Sequence, residues 1–213
     1  MFTSFYWHEF LALALIHFLA VIAPGPDFAI TIRQSVIHGR KAGILTAIGI
    51  GAGISVHVIY TLIGIGALLH TTPWLMNIVK VMGGLYLICL GINFLRAKAN
   101  TTNELQFDRQ EHSPVSNKKA FLVGFITNAT NPKATIFFLA IFTTVVSQTT
   151  PLSIQIFYGI WMCLVNALWF IVVSILFSHS SIRQKFVASG YWFERAMGVV
   201  LILFAIRLFL TSF

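Results

Sequence analysis

Charge is the scarcest commodity in this chain. Only 9% of its 213 residues are Asp, Glu, Lys or Arg, and just six of them are acidic. A soluble domain carries about a quarter of its residues charged, so that class is excluded, and a hydrophobic share of 57% points to a bilayer. The net charge of +8 invites a nucleic-acid partner, but such proteins gather Lys and Arg on one face of a soluble fold. Here the cations fall between apolar runs. Cysteine is nearly absent: Cys89 and Cys163 each lie inside an apolar run, away from any loop with disulfide or zinc spacing, and read as packing residues. Also missing are a phosphate-binding Gly-Lys-Ser/Thr loop, histidines paired at metal-ligand spacing and a nucleophile motif. These absences speak against ATP-driven transport by this chain alone, a bound metal and an enzyme. No basic residue precedes the first apolar run in Met1-Phe2-Thr3-Ser4, and that run exceeds signal-peptide length, so it is expected to be retained.

What is abundant is long apolar sequence. A membrane-crossing helix needs about 20 mostly apolar residues. Six stretches qualify: Phe10–Arg33, Ala42–Leu69, Pro73–Leu95, Phe121–Val146, Ile154–Phe177 and Ala196–Leu210. Trp7, Pro73-Trp74, Pro151 and Tyr191-Trp192 near their ends suit the membrane interface. Of the 14 Lys and Arg, 11 fall on one side: Arg33, Arg40 and Lys41 after the first span, Arg96, Lys98, Arg109, Lys118 and Lys119 between the third and fourth, and Arg183, Lys185 and Arg195 between the fifth and sixth. The opposite connections, Leu69–Thr72 and Ser147–Ser153, carry none, so the positive-inside rule places both termini outside. Lys80, Lys133 and Arg207 lie within spans, and Arg207 is near enough to a helix end to snorkel.

The polar stretch Ala97–Asn117 reads as a cytoplasmic linker between residues 1–96 and 118–213, each holding three spans inserted in opposite directions. The expected fold is therefore an all-α integral membrane protein of six transmembrane helices, arranged as two inverted three-helix repeats with broken first and fourth helices. Laying Pro26 on Pro132 aligns Ala23-Pro24-Gly25-Pro26-Asp27 with Ala129-Thr130-Asn131-Pro132-Lys133, which sets Asp27 opposite Lys133. In each half a helix breaker stands beside an intramembrane charge, the sequence pointer to an inverted-repeat transporter's site. Proline suits the first position of a helix, and Gly or Asn can precede it as the N-cap. Gly25-Pro26 and Asn131-Pro132 are thus expected to open two half-helices, whose N-termini attract carboxylates.

The candidate substrate-binding or coupling residues are Pro24, Gly25, Pro26, Asp27, Asn128, Asn131, Pro132, Lys133 and His57. Their chemistry fits a small zwitterion, with the carboxylate at a half-helix N-terminus or Lys133 and the ammonium at Asp27 or freed carbonyls. A second reading stays open, in which Asp27 and Lys133 pair with each other and hold the halves together. His57 lies at helical spacing from Gly49 and Gly53, a small-residue face that turns it into the bundle, where it serves as a proton carrier or an interhelical hydrogen-bonder. The same two readings stand for His17, while for Asn166 an interhelical hydrogen bond is the default reading. Gly49 and Gly53 leave open whether helices pack within one chain or between two, and so whether the protein is a homo-oligomer.

Four motifs in order resemble the lysine exporter (LysE/RhtB) family, and most closely its threonine and homoserine exporters. They are Ala23-Pro24-Gly25-Pro26-Asp27, Gly39-Arg40-Lys41-Ala42-Gly43, Gly83–Leu87 with Leu90-Gly91, and Thr127-Asn128-Ala129-Thr130-Asn131-Pro132-Lys133-Ala134. Beyond the fourth span the likeness is mostly hydropathy. The resemblance implies a bacterial inner-membrane secondary exporter of amino acids that uses the proton gradient and no cofactor. Two competing expectations are export of another small solute or cation, and an integral-membrane enzyme using His57 and Asp27 as acid and base.

Overall fold

The computed structural model describes residues 4–23, 25–71, 73–97, 115–147, 149–177, 179, 191–192, 195–196, 198–203, 205–206 and 209–210. Among them there are helices and connections but no strand. The helices are α1 (Ser4–Ile22), α2 (Pro26–Ile37), α3 (Arg40–Thr71), α4 (Pro73–Leu95), α5 (Asn117–Ala129), α6 (Pro132–Thr144) and α7 (Leu152–Leu176), and further helical residues recur between 191 and 210. By length and composition α1, α3 and α7 can each cross a membrane, while α6 and Val81–Leu95 of α4 are shorter apolar helices.

The first and fourth expected spans are both interrupted, at residues 23–25 and 130–131. The interruptions are not placed alike. α5 and α6 have 13 residues each, whereas α1 has 19 and α2 has 12. The expected first span began at Phe10, but the helix starts at Ser4, because Glu9 ties that end down. Glu9 is buried and accepts hydrogen bonds from the Ser147 N–H at 2.8 Å and the Thr150 hydroxyl at 3.0 Å, which pins α1 to the α6–α7 connection. Most of the expected linker, 98–114, lies outside the described residues, as do Arg183, Lys185 and Arg207.

Small residues set the helix spacing. Along α3, the Thr46 hydroxyl donates to the Ala120 carbonyl at 2.9 Å, Gly49 faces the Phe121 carbonyl, Gly53 faces Asn128, and His57 stacks on Phe138. The α5–α6 chain therefore runs beside α3 in the same direction. α7 runs the opposite way, with Gly51 against Ala167 and Gly43 against Ser174. Gly83 abuts Ala140 of α6, and Gly91 abuts Gly198. The Gly49–Gly53 face is thus used within one chain, which closes the alternative of packing between two at this face. At Gly39 the backbone φ of 86° lies in the left-handed region, where glycine is the natural residue, and it turns the chain from α2 into α3.

The apolar core is divided into two clusters. One gathers Phe10, Leu13, Phe137, Phe138 and Tyr158 with Leu201 and Ala205. The other joins Val21, Phe28 and Ile32 to Ile50, Phe170 and Val173. Cys163 packs at the edge of the first cluster. Cys89 does not fill the packing role expected of it: its side chain is exposed, on the outer face of α4 where a bilayer supplies the apolar surroundings.

A Cβ at Gly124 would run into the Thr46 carbonyl, a backbone atom that cannot swing aside. Gly124→Val is therefore expected to lower stability by about 1–3 kcal/mol or more through overpacking. Gly64→Ala, which meets nothing within 4 Å, should leave the thermal midpoint of the detergent-purified protein unchanged or raise it.

Candidate functional site

The two interruptions share a local grammar. Gly25 is the N-cap of α2 and Pro26 its first residue, while Asn131 is the N-cap of α6 and Pro132 its first residue. Proline fits both places because the first helical N–H has no partner to lose. The caps differ. The Asn131 side-chain oxygen accepts the Lys133 N–H at 3.0 Å, but Gly25 has no side chain, so α2 begins without a side-chain cap.

A hydrogen bond joins the breaks: the Asn128 amide donates to Asp27 Oδ2 at 2.9 Å, linking the last turn of α5 to the first turn of α2, and Asn131 and the Lys133 charge act on the same carboxylate. Asn128 is itself held from behind. Its carbonyl accepts the Asn131 N–H at 2.8 Å and faces His57 Nε2 at 2.8 Å. A carbonyl accepts only, so Nε2 carries the proton, and Nδ1 accepts the Tyr60 hydroxyl at 2.7 Å. Lys133 places its ammonium 4.8 Å from the Phe94 ring centroid and 3.8 Å from where a Cβ on Gly25 would stand. The cation of the second break thus reaches across to the first.

Between the breaks lies a cavity offering about 70 Å³ to water centres, several times the ~10–15 Å³ that one water needs. It sits at the seam of the two apolar clusters, walled by Val21, Phe28, Ile54, Leu90, Phe137 and Phe170. Its polar lining is Asp27, Asn128, Asn131 and Lys133 at the breaks, with His17 and Asn166 added from α1 and α7. Three buried side-chain atoms among these have no hydrogen-bond partner: Asp27 Oδ1, Asn128 Oδ1 and His17 Nδ1. Burying a polar atom unpaired costs about 1–3 kcal/mol, so the cavity is a place where a polar ligand gains what the protein itself leaves unmade.

Of the residues singled out from sequence, Gly25, Pro26, Asp27, Asn128, Asn131 and Lys133 line this cavity. Pro24 lies outside the described residues. Pro132 is exposed and shapes the turn. His57 stands behind the Asn128 backbone and not among the lining residues. His17 and Asn166 hydrogen-bond to each other at 2.8 Å across α1 and α7, the interhelical bond that is the default reading for Asn166 and one of two open for His17. Their second role in the lining was not read from the sequence. The available signal was the helical spacing of His17, Ala20 and Val21, all of which line the cavity. Among the described residues no group of three or more His, Cys, Asp or Glu is placed to hold a metal.

A helical membrane protein with two broken helices meeting at a polar cavity has the build of a translocator. The chain belongs to the family of LysE type translocators, whose pattern it matches over residues 18–212. It is a multi-pass membrane transporter, not an enzyme. It is 28% identical to the threonine efflux protein of Escherichia coli K12 over 204 residues, covering 95% of this chain and 98% of that protein. With the threonine efflux protein of Salmonella typhi it shares 29% over 208 residues, 95% and 98% of the two chains. An uncharacterized membrane protein of Haemophilus influenzae is 26% identical over 195 residues, 91% of this chain and 92% of that one. No solved structure matches.

His57→Phe deletes the bond to the Asn128 carbonyl and the acceptor that His57 offers the Tyr60 hydroxyl. It is expected to cost about 1–3 kcal/mol in the thermal unfolding of the purified protein. Because His57 is behind the lining, ligand affinity of the folded fraction should stay within about threefold of wild type.

Proposed function

We propose that the protein exports amino acids across the bacterial inner membrane by alternating access, with the space between the two breaks as the substrate site and the proton gradient as the driving force. The observation that carries this reading is the pair of unpartnered acceptors, Asp27 Oδ1 and Asn128 Oδ1, beside the Lys133 ammonium and the α2 N-terminus. Acceptors call for a donor, and an α-ammonium offers three N–H groups. The cation and the helix end call for an anion, which the α-carboxylate supplies. One small zwitterion answers both demands at once. Its side chain then extends along the Phe137 and Phe170 wall, which favours small neutral amino acids; the similarity of this chain to threonine efflux proteins makes threonine the first substrate to try, with homoserine beside it as a hydroxylated amino acid of the same size. Asp27 is the carboxylate assigned to coupling, since an intramembrane acid is the usual proton relay.

On this reading the chain forms six crossings in two inverted halves, 1–96 and 118–213, with both termini periplasmic. The matching Gly25-Pro26 and Asn131-Pro132 caps support that pseudo-symmetry, and so does the opposite running of α3 and α7.

The test is efflux of labelled threonine and homoserine from liposomes holding the purified protein. Movement under an imposed pH gradient is expected, and no movement under either a pH gradient or a membrane potential overturns the reading. Asp27→Asn, which keeps the shape of the Asn128 partner, should abolish efflux or make it independent of the pH gradient. Lys133→Ala should raise KM about tenfold or more, the worth of one charge-assisted hydrogen bond. The double exchange Asp27→Lys with Lys133→Asp should stay inactive while folded. Restored activity would mark the two as a structural pair.

A further inference from the structure

We infer that His17 is a second recognition point of the cavity, donating a hydrogen bond from Nδ1–H to an acceptor on the substrate's side chain, so that a hydroxylated side chain is preferred over its apolar isostere. This deepens the zwitterion reading and rests on it.

The proton assignment follows from Asn166. Its amide nitrogen donates to the Met162 carbonyl at 3.1 Å, which fixes which end of the amide is nitrogen. The same nitrogen faces His17 Nε2 at 2.8 Å. Nε2 therefore accepts, and the neutral ring carries its proton on Nδ1. That N–H has no protein partner, although His17 is only 1% exposed and lines the cavity. The surrounding rings of Phe137, Phe138 and Trp161 have their centroids 5.6–6.3 Å from the imidazole and supply no acceptor along their edges. The ring cannot swivel to find one without breaking the Asn166 bond. The unpartnered donor is thus fixed in place, in a cavity whose lining also includes the unpartnered acceptors of Asp27 and Asn128.

His17 lines the same cavity as Asp27, Asn128 and Lys133, so a small ligand held at the breaks can also present a side-chain acceptor to His17. A site that hydrogen-bonds a substrate hydroxyl rejects the analogue lacking it strongly, because its own polar group is then left unpaired.

The experiment is competition against labelled threonine in liposome-embedded protein, using two isosteric pairs, threonine with valine and homoserine with norvaline. In the wild type the hydroxylated member of at least one pair is expected to compete about tenfold better or more. His17→Phe, whose ring suits the aromatic surroundings, should bring the members within about threefold of each other. His17→Gln, which keeps an N–H donor, should recover part of the preference. A merely structural role would weaken both members of a pair equally and leave their ratio intact. A wild-type ratio near one overturns the inference without any variant, and a ratio unchanged in His17→Phe overturns it as well. Export without preference sinks this inference alone, whereas a wild type that moves no amino acid overturns the export reading and this inference together.

Discussion

The hydrogen bond from Asn128 to Asp27 is the constraint on which the site depends. It joins two places where a helix stops and restarts at a proline with a charged residue directly after it, Asp27 in one and Lys133 in the other. A carboxylate at bilayer depth is costly and tends to face a bundle interior or a cavity. Here the Asn128 amide holds one oxygen, Asn131 and the Lys133 charge also act on the carboxylate, and Oδ1 is left without a partner. His57, Asn131 and the α3–α5 contact serve that bond. His57 and Asn131 fix the Asn128 backbone, and the close approach at Gly53 lets α3 reach it.

The same arrangement explains why the cavity sits where it does. The two apolar clusters pack on either side of the breaks, and neither can fill the seam because the half-helix ends are polar. In a bilayer, non-helical backbone is tolerated only where it is buried in protein or lines a cavity. Ala23, Gly25 and Asn131 line the cavity accordingly. The glycines of the remaining motifs do a different job: Gly39 makes a turn, Gly43 lets α2 and α7 close on α3, and Gly83 and Gly91 bring α4 against its neighbours. A motif that reads as one signature is therefore partly site and partly packing.

The breaks were legible because Gly-Pro and Asn-Pro beside a charge are rare inside apolar sequence, and the physics of helix N-termini gives them one natural meaning. The Gly49-Gly53-His57 face was legible from its helical spacing, though the chain it packs against was not. Other features depended on tertiary placement. His17 and Asn166 are 149 positions apart, and nothing local says that their pair also lines the cavity. His57 shares a helix face with residues that touch the site, yet its ring ends up behind Asn128. Cys89 lies in an apolar run that is exposed on one face, a distinction that hydropathy loses when both the lipid and the core are apolar. The unequal lengths of α1 and α5, the helices before the two breaks, were likewise hidden, since Glu9 ties α1 to partners more than 130 residues away.

The central claim is that the space between the breaks recognises both ends of a zwitterion together. Competition against labelled threonine by threoninamide, which lacks the carboxylate, and by 3-hydroxybutyrate, which lacks the ammonium, tests it directly. The account predicts that unlabelled threonine competes and that each single-ended analogue is weaker by about tenfold or more, the worth of one charge-assisted contact. Competition by either analogue as strong as that of threonine would contradict it.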